Sequence, residues 1–487
     1  MSKLISAVDL TLDTAYQTIN DADWRLLIDM AKERGVLERR DAIFSGNAIN
    51  QSEGRAALHP ALRNLSTTPM MVNGEDVMPL VKGVWQRIEG FCNQLIGITD
   101  VICLGIGGSD WGPRLVCDAL YQINPQDGKA IRLHFVANVD SAELASTLAK
   151  AQPRSTRVLI TSKTFTTLET IRNAQTVINW LKLHQVTPSQ LKKCLIGITA
   201  NPKAAEAFGI APENIYPFWD WVGGRFSVWS AVGFPIAIKF GFNTFKQLLA
   251  GAHAMDQHFL NAPAEENMPL ILALTLIHNQ NRHGITAKAI VPYAHALRFL
   301  PEWLQQLEME SHGKSVTIDG KACDPTSPVV FGSAGSNSQH SYFQMLHQGT
   351  QIIPVDFIAV KEPMSDLPEA KEHHQSLVAN CLAQAQALAN GSEEQYAYDS
   401  CPGGRPSNLI WLPKLDAYHL GALLALYEHR AICLGAIWNL NSFDQPGVEL
   451  GKKLAKPIQA ALRGENPSLN GIDDITAARI KWLNSEN

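Results

Sequence analysis

The sequence has no strong excess of charge of either sign, and it has none of the cysteine spacings that mark zinc or redox sites. Its 487 residues carry a formal net charge of −5, and the pI is about 6.3. Because no basic field extends over the chain, we expect no nucleic-acid partner, and an anionic ligand would have to be attracted by a few cations in a cleft. The eight cysteines are scattered without a C-x-x-C pair. We therefore expect no metal site and predict reduced thiols in a reducing compartment.

Long uncharged apolar runs are also missing. No stretch reaches the roughly 18 residues of a membrane span, and the best candidate, residues 415–439, is interrupted by Glu428, His429 and Arg430. The first residues contain no apolar segment followed by a small-residue cleavage site. We therefore predict a soluble, cytoplasmic protein without a membrane partner.

The pattern of apolar residues along the chain changes near residue 98. Residues 1 to about 95 are predicted to be helical, since residues 24–40 have apolar positions at helical spacing. From there, short apolar runs alternate with helical patterns: first VICLGIG, LHFVAN, TRVLITSK and CLIGITAN, then AKAIVPY, PVVFGSAGSNS and QIIPVDFIAV. The first four begin roughly 30 residues apart, which is the period of a βαβ unit. The pattern predicts two α/β domains with parallel sheets, and a buried helix over residues 415–439 because that segment is apolar almost all round.

Glycines follow the first predicted strand at residues 105–109 (GIGGS). They let backbone amides approach a ligand, and the helix that follows favours an anion at its N-terminus. Asp110 occupies the third glycine position of a dinucleotide fingerprint, which disfavours a nicotinamide cofactor, although Asp140 after the next strand keeps that possibility open. A tight turn without a ligand is the alternative.

A second loop between strand and helix, residues 162–167 (SKTFTT), has four hydroxyls and one ammonium group. This set suits a phosphate monoester, and simple helix capping is the alternative. A Walker A loop is excluded, because Glu308 stands where the first glycine before Gly313-Lys314-Ser315 should be.

Two further segments contain groups suited to proton transfer. In WVGGRFS, Arg225 follows paired glycines and could face a phosphate or an oxyanion, or lie in an exposed turn. In QQLEMESHGK, Gln306 and Glu310 are four residues apart and share a helix face, so Glu310 could act as a base; a solvated surface turn is the alternative.

The last two segments contain a histidine and a lysine. His340 ends GSNSQH, where it is a candidate acid or base, with helix capping by Ser338 as the alternative. Gln445 and Lys452 are seven residues apart, or two helical turns, and an ordinary surface lysine is the alternative.

Taken together, and in this order, the segments GIGGS, SKTFTTLET, DWVGGRFSVWSAVGF, QQLEMESHGK, GSNSQHSYFQMLHQG and SFDQPGVELGK resemble the phosphoglucose isomerase family over roughly residues 95–455. The resemblance implies two SIS-type three-layer α/β/α domains with mostly parallel sheets, a homodimer, no cofactor, and interconversion of glucose 6-phosphate and fructose 6-phosphate. It places a helical segment at 1–95 that packs on the second domain, the domains at 96–240 and 241–450, and a helical arm at 451–487.

The resemblance also implies roles for individual residues. The phosphate-binding pocket and its immediate surroundings would be formed by Gly108, Ser109, Ser162, Lys163, Thr164, Thr167 and Gly224. Glu310 would be the base that moves a proton between C2 and C1, and Arg225 would stabilise the enediol(ate). Sugar hydroxyls would be held by Gln306 and Gln445. His340, reaching in from the partner subunit, would open the ring with help from Lys452.

The sequence departs from the usual family pattern at Ser333, Ala334, Ser338, His312 and Pro446. We expect these changes to affect the poses of His340 and Gln445 and to leave the sugar preference open. The competing interpretations are a catalytically silent sugar-phosphate sensor, which would not need Glu310, His340 and Lys452 together, and a nicotinamide-dependent dehydrogenase, which Asp110 disfavours.

Overall fold

The computed structural model describes residues 4–123, 129–466 and 468–485. The chain forms two compact units, Met1–Ser442 and Phe443–Asn487. The strands are β1 (Leu4–Ala7), β2 (Leu10–Asp13), β3 (Met71–Val72), β4 (Glu75–Asp76), β5 (Asp100–Leu104), β6 (Arg132–Val136), β7 (Thr156–Thr161), β8 (Leu195–Thr199), β9 (Ile215–Pro217), β10 (Ala287–Tyr293), β11 (Val329–Gly332), β12 (Val355–Val360) and β13 (Ser407–Leu412).

The α-helices of the first unit are α1 (Asp21–Glu33), α2 (Val36–Phe44), α3 (Met78–Asn93), α4 (Trp111–Ile123), α5 (Ser141–Leu148), α6 (Leu168–Leu183), α7 (Pro188–Cys194), α8 (Pro202–Phe208), α9 (Phe234–Phe240), α10 (Phe242–Asn261), α11 (Met268–His283), α12 (Leu300–Leu304), α13 (Phe343–Gln348), α14 (Ala370–Asn390) and α15 (Ala417–Ile437). The second unit contains α16 (Pro446–Leu462) and α17 (Asp474–Ser485). Directly after α12 comes a π-helical segment, Gln305–Glu310, which we call the π turn.

The first large sheet is entirely parallel and has the strand order β6-β5-β7-β8-β9. Every residue of β5 and of β8 is buried, as expected for parallel strands that have helices on both faces. All four runs predicted as strands in this part of the chain form strands. The predicted loops at residues 105–109 and 162–167 therefore follow neighbouring strands, β5 and β7, at the carboxyl edge where α/β proteins bind ligands.

The second large sheet has the order β1-β2-β13-β12-β10-β11, in which β10 to β13 are parallel and the β1–β2 hairpin is antiparallel. The prediction that residues 1 to 95 are helical is therefore wrong for this hairpin, and also for β3 and β4. Leu10 and Leu12 alternate into the core at strand spacing and are fully buried. The turn is formed by Val8 and Asp9, both at positive φ, and it lacks the glycine that usually marks such a turn.

The predicted buried helix is confirmed as α15. Among the described residues it is the one helix long and apolar enough to cross a membrane, and its apolar window is completely buried inside the protein. It packs so closely on α10 that a Cβ atom at Gly421 would lie 2.0 Å from the carbonyl oxygen of Leu248. This helix therefore lies in the core of the first unit. The domain boundaries given above remain predictions.

Candidate active site

The side chain of Arg225 is buried. It lies in a short 3-10 segment, Gly224–Phe226, which we call the arginine turn. Nε donates to Ser311 Oγ at 2.8 Å, Nη2 donates to the carbonyl oxygen of Ser442 at 3.0 Å, and Nη1 lies 3.3 Å from Glu310 Oε2. The alternative of an exposed turn is therefore wrong, because the guanidinium is fixed on several sides.

Glu310 shares a helix face with Gln306, as predicted. Gln306 Nε2 donates to Glu310 Oε2 at 3.0 Å, and Leu307 and Glu308 on the opposite face are buried. Glu310 is partly accessible, with a side-chain exposure of 19%. A solvated surface turn is therefore excluded. A carboxylate between a neutral amide and a guanidinium can accept a proton at its accessible edge.

The glycine loop, residues 105–109, lies against both of these segments. A Cβ atom at Gly108 would lie 2.0 Å from the carbonyl oxygen of Gly224, and one at Gly107 would lie 2.9 Å from Gln306 Nε2. Glycine at 108 is required because two backbones meet there. The loop, the arginine turn and the π turn therefore converge at one place, and Ser109, half-buried, lies in the same loop.

The hydroxyl loop, residues 162–167, connects β7 to α6. Ser162 Oγ lies 3.0 Å from Thr167 Oγ1, and Thr164 Oγ1 lies 2.7 Å from Thr166 Oγ1. Thr167 is the residue before α6, and its side chain makes no capping hydrogen bond. Capping alone is therefore wrong as an explanation of these residues. The hydroxyls are grouped at the N-terminus of a 16-residue helix, where an anion is stabilised.

Lys163 connects the hydroxyl loop to the segment that precedes the arginine turn. Its Nζ donates to the carbonyl oxygens of Asp220 and Val222, at 2.8 Å each. Burial is the main effect that lowers the pKa of this ammonium group to about 8. A direct contact of Lys163 with phosphate stays a prediction.

His340 ends a 3-10 segment, Ser338–His340, and its side chain is exposed. The residue before this segment is Asn337, so helix capping by Ser338 is wrong. Gln339 Nε2 donates to the Tyr293 hydroxyl at 2.7 Å and fixes the loop. Within the described residues, no hydrogen bond or ion pair joins His340 to Glu310, so its role in ring opening stays a prediction.

Gln445 and Lys452 belong to the second unit. Gln445 immediately precedes α16, and Lys452 lies on that helix, exposed, with Nζ 2.8 Å from Glu449 Oε1. Pro446 occupies the first helical position, where the missing N–H costs no hydrogen bond. This departure from the family pattern is therefore compatible with the helix.

The two residues that follow Glu310 were not among the predicted site residues, although His312 was noted as a departure from the family pattern. Ser311 accepts from Arg225 Nε, and His312 is buried with Nε2 2.8 Å from the carbonyl oxygen of Ala431. Burial lowers the pKa of His312 to about 3, so the ring is neutral and its Nε2 donates the proton in this bond. Both residues stand in the QQLEMESHGK segment, but only their three-dimensional neighbours show what they do. In the part of the chain that the structure describes, no group of three or more His, Cys, Asp or Glu could hold a metal ion.

Comparison with known proteins gives consistent results. Residues 13–480 match the family model described as phosphoglucose isomerase. The chain is 47% identical to the glucose-6-phosphate isomerase of Cupriavidus metallidurans, over 98% of this chain and 91% of the relative. It is 45% identical to glucose-6-phosphate isomerase 1 of Neisseria meningitidis, over 94% and 88% of the two chains.

Among solved structures, a glucose-6-phosphate isomerase from Chlamydia trachomatis superimposes with a TM-score of 0.88 at 29% identity, covering 99% of this chain and 93% of that one. The alignments extend over nearly the whole of each protein. The chain therefore belongs to the phosphoglucose isomerase family.

Proposed function

We propose that this protein is an aldose–ketose isomerase that interconverts glucose 6-phosphate and fructose 6-phosphate. The observation that carries the proposal is the contact between Arg225 and Glu310, with Gln306 on the same carboxylate and the glycine loop against both. A base that faces a fixed cation is what proton abstraction next to a carbonyl requires. Membership of the family supports the choice of substrate.

The phosphate of the substrate would be bound by the hydroxyl loop through Ser162, Thr164 and Thr167, together with Ser109. Hydroxyl donors and the N-terminus of α6 favour a dianion there. Because this group is remote from the reacting carbons, its binding energy would orient C1 and C2 over Glu310. Lys163 would support the site by holding the loop to residues 220 and 222.

Glu310 would take the proton from one carbon and return it to the other. Negative charge develops on the substrate oxygen in the enediol(ate), and the guanidinium of Arg225 would stabilise it. Since Ser311 and the carbonyl oxygen of Ser442 already hold that guanidinium, it would need little rearrangement during the reaction. Gln306 would hold a sugar hydroxyl as well as the carboxylate.

Ring opening needs an acid and a base at the ring oxygen and O1, separate from Glu310. We propose His340 and Lys452 for this step, with Gln445 on a sugar hydroxyl, by analogy with the family. By the same analogy, the exposed His340 would serve the site of the partner subunit in a homodimer. We also propose that the enzyme works in the cytoplasm, because its eight cysteines are free thiols.

The deciding experiment is a coupled assay in which purified protein, treated with a chelator, converts fructose 6-phosphate and a dehydrogenase detects glucose 6-phosphate. Glu310→Gln keeps the shape of the side chain but removes the base, so we expect kcat to fall by about 10²- to 10⁴-fold while KM changes little. Glu372→Gln on α14, an exposed glutamate, is the matched control and should behave as wild type.

Two outcomes would contradict the proposal. Near-normal turnover by Glu310→Gln would remove Glu310 from its role as base. A wild-type protein that binds fructose 6-phosphate without converting it would be a sugar-phosphate sensor.

A further inference from the structure

Four charged side chains from four elements form a buried cluster behind the π turn: Lys288 of β10, Glu308, Asp356 of β12 and Arg430 of α15. Lys288 Nζ and Arg430 Nη1 lie 2.8 Å and 2.9 Å from Glu308 Oε1. The same cations lie 3.9 Å and 3.6 Å from Asp356 Oδ2. The shortest bonds of the cluster therefore converge on Glu308.

Glu308 and the proposed reacting groups lie on opposite faces of the same turn. Glu308 is 1% exposed, whereas Gln306 and Glu310 are partly accessible, and Gln306 adjoins the glycine loop. Single π-helical turns are rare and depend on their surroundings to persist. A contact that fixes the buried face therefore also fixes the direction of the two side chains on the other face.

Burying four charged side chains in a core carries a desolvation cost. Burial alone would raise the pKa of Glu308, but Arg430 and Lys288 hold it below its ordinary value, so the carboxylate stays ionised. Two cations and two carboxylates balance in charge, and apolar residues of similar volume would often give equal stability. Ion pairs differ from apolar packing in that they specify one geometry.

Helix α15 also contacts the segment that follows the arginine turn. Glu428, two residues before Arg430, accepts from Trp229 Nε1 at 2.8 Å, and Trp229 lies four residues after Arg225. Two polar residues that interrupt this apolar helix therefore contact residues close in sequence to Arg225 and to Glu310: Glu428 binds Trp229, and Arg430 binds Glu308.

We propose that Glu308 is a positioning residue of the isomerase: by binding Lys288 and Arg430 it holds the π turn so that Glu310 faces Arg225. This inference rests on the proposed function, in which Glu310 is the base. A displacement of the carboxylate by about 1 Å is enough to cost about 10²-fold in rate.

The test is Glu308→Asp, which keeps the charge but shortens the side chain by one methylene group. The shorter carboxylate cannot reach both cations unless the π turn moves, so we expect kcat to fall by roughly 10- to 100-fold. KM for fructose 6-phosphate should stay within about threefold of wild type, because the proposed phosphate contacts lie on other loops. Glu308→Gln, which keeps the length and loses the charge, serves as a second variant if Glu308→Asp does not fold.

Asp356→Asn is the matched control, since it removes a charge from the same cluster without touching the π turn. Its remaining oxygen can still accept from Asn408 Nδ2, which lies 2.8 Å from Asp356 Oδ1. We expect a lower melting temperature and a kcat within about threefold of wild type.

Wild-type kcat in a folded Glu308→Asp protein would overturn the inference. So would equal losses of kcat and of melting temperature in Glu308→Asp and Asp356→Asn, because the cluster would then serve stability alone. If the wild-type protein did not convert fructose 6-phosphate at all, the proposed function would fail first, which separates the two failures.

Discussion

Replacing Gly108 with alanine tests how closely the glycine loop must approach the arginine turn. The added Cβ atom would lie 2.0 Å from the carbonyl oxygen of Gly224, 2.2 Å from its carbonyl carbon and 2.7 Å from the backbone nitrogen of Arg225. Ordinary contacts between such atoms are about 3.5 Å. Because all three neighbours are backbone atoms, the clash cannot be relieved by a side-chain rotation, and the two segments must separate by more than about 1 Å.

This separation would move the glycine loop, including the proposed phosphate ligand Ser109, away from Arg225. We expect kcat/KM for fructose 6-phosphate to fall by about 10²-fold, and the free energy of unfolding to fall by about 1–3 kcal/mol. The coupled assay measures the first quantity and urea unfolding the second.

Gly90→Ala in α3 is the matched control, since nothing lies within 4 Å of a Cβ atom there. It should leave kcat/KM unchanged and raise stability by up to about 1 kcal/mol, because alanine is the better helix former. If Gly108→Ala kept kcat/KM within about threefold of wild type, the close approach of the two backbones would have no role in catalysis.

Two further predictions concern the subunit arrangement and pH. Mixing inactive Glu310→Gln and His340→Ala proteins, after dissociation and reassociation, should restore activity in about a quarter of the sites if His340 acts across a symmetric dimer interface; no restoration would place both residues in one chain. Burial, opposed by Arg63, raises the pKa of Glu428 to about 7. Between its unfolded value and pH 7 the folded protein therefore binds a proton that the unfolded chain lacks, and stability falls as pH rises through this range. Relative to Glu428→Gln, wild type should lose on the order of 3 kcal/mol of unfolding free energy between pH 4.5 and 8; equal pH profiles from urea unfolding of the two proteins would contradict this assignment.

The sequence was sufficient to predict the family, the strands of both large sheets from residue 98 to 360 except the three-residue strand β9, and the buried helix α15. These predictions succeeded because the signals are local: apolar runs of strand length, and a segment that is apolar on all sides. The β1–β2 hairpin was missed because two strands of four residues give little periodicity and Val8-Asp9 does not look like a turn. Strand β13 was missed although it lies in the middle of its sheet.

The site was predictable where neighbours are close in sequence. Gln306 and Glu310 could be placed on one face from their spacing alone. The contact between Arg225 and Glu310 joins segments that are far apart in the chain. The spacing of apolar residues in the sequence cannot predict such a contact. The same holds for Gly108 and Gly224. Each glycine indicates a loop in the sequence, but neither indicates that the two loops are in contact.

The hairpin at the start of the described chain has a consequence for how the protein is made. Strand β2 pairs with β13, and Thr11 lies opposite Trp411, about 400 residues later in synthesis. At about 5–20 residues per second, a ribosome needs roughly 20–80 s to cover that distance. During this time the hairpin has no partner on the sheet, and afterwards it covers an edge of β13 that would otherwise be open to strands of other molecules. The hairpin thus replaces the exposed edge of the six-residue strand β13 with that of β1, which has four residues, and a short edge strand is a poorer template for pairing with another chain.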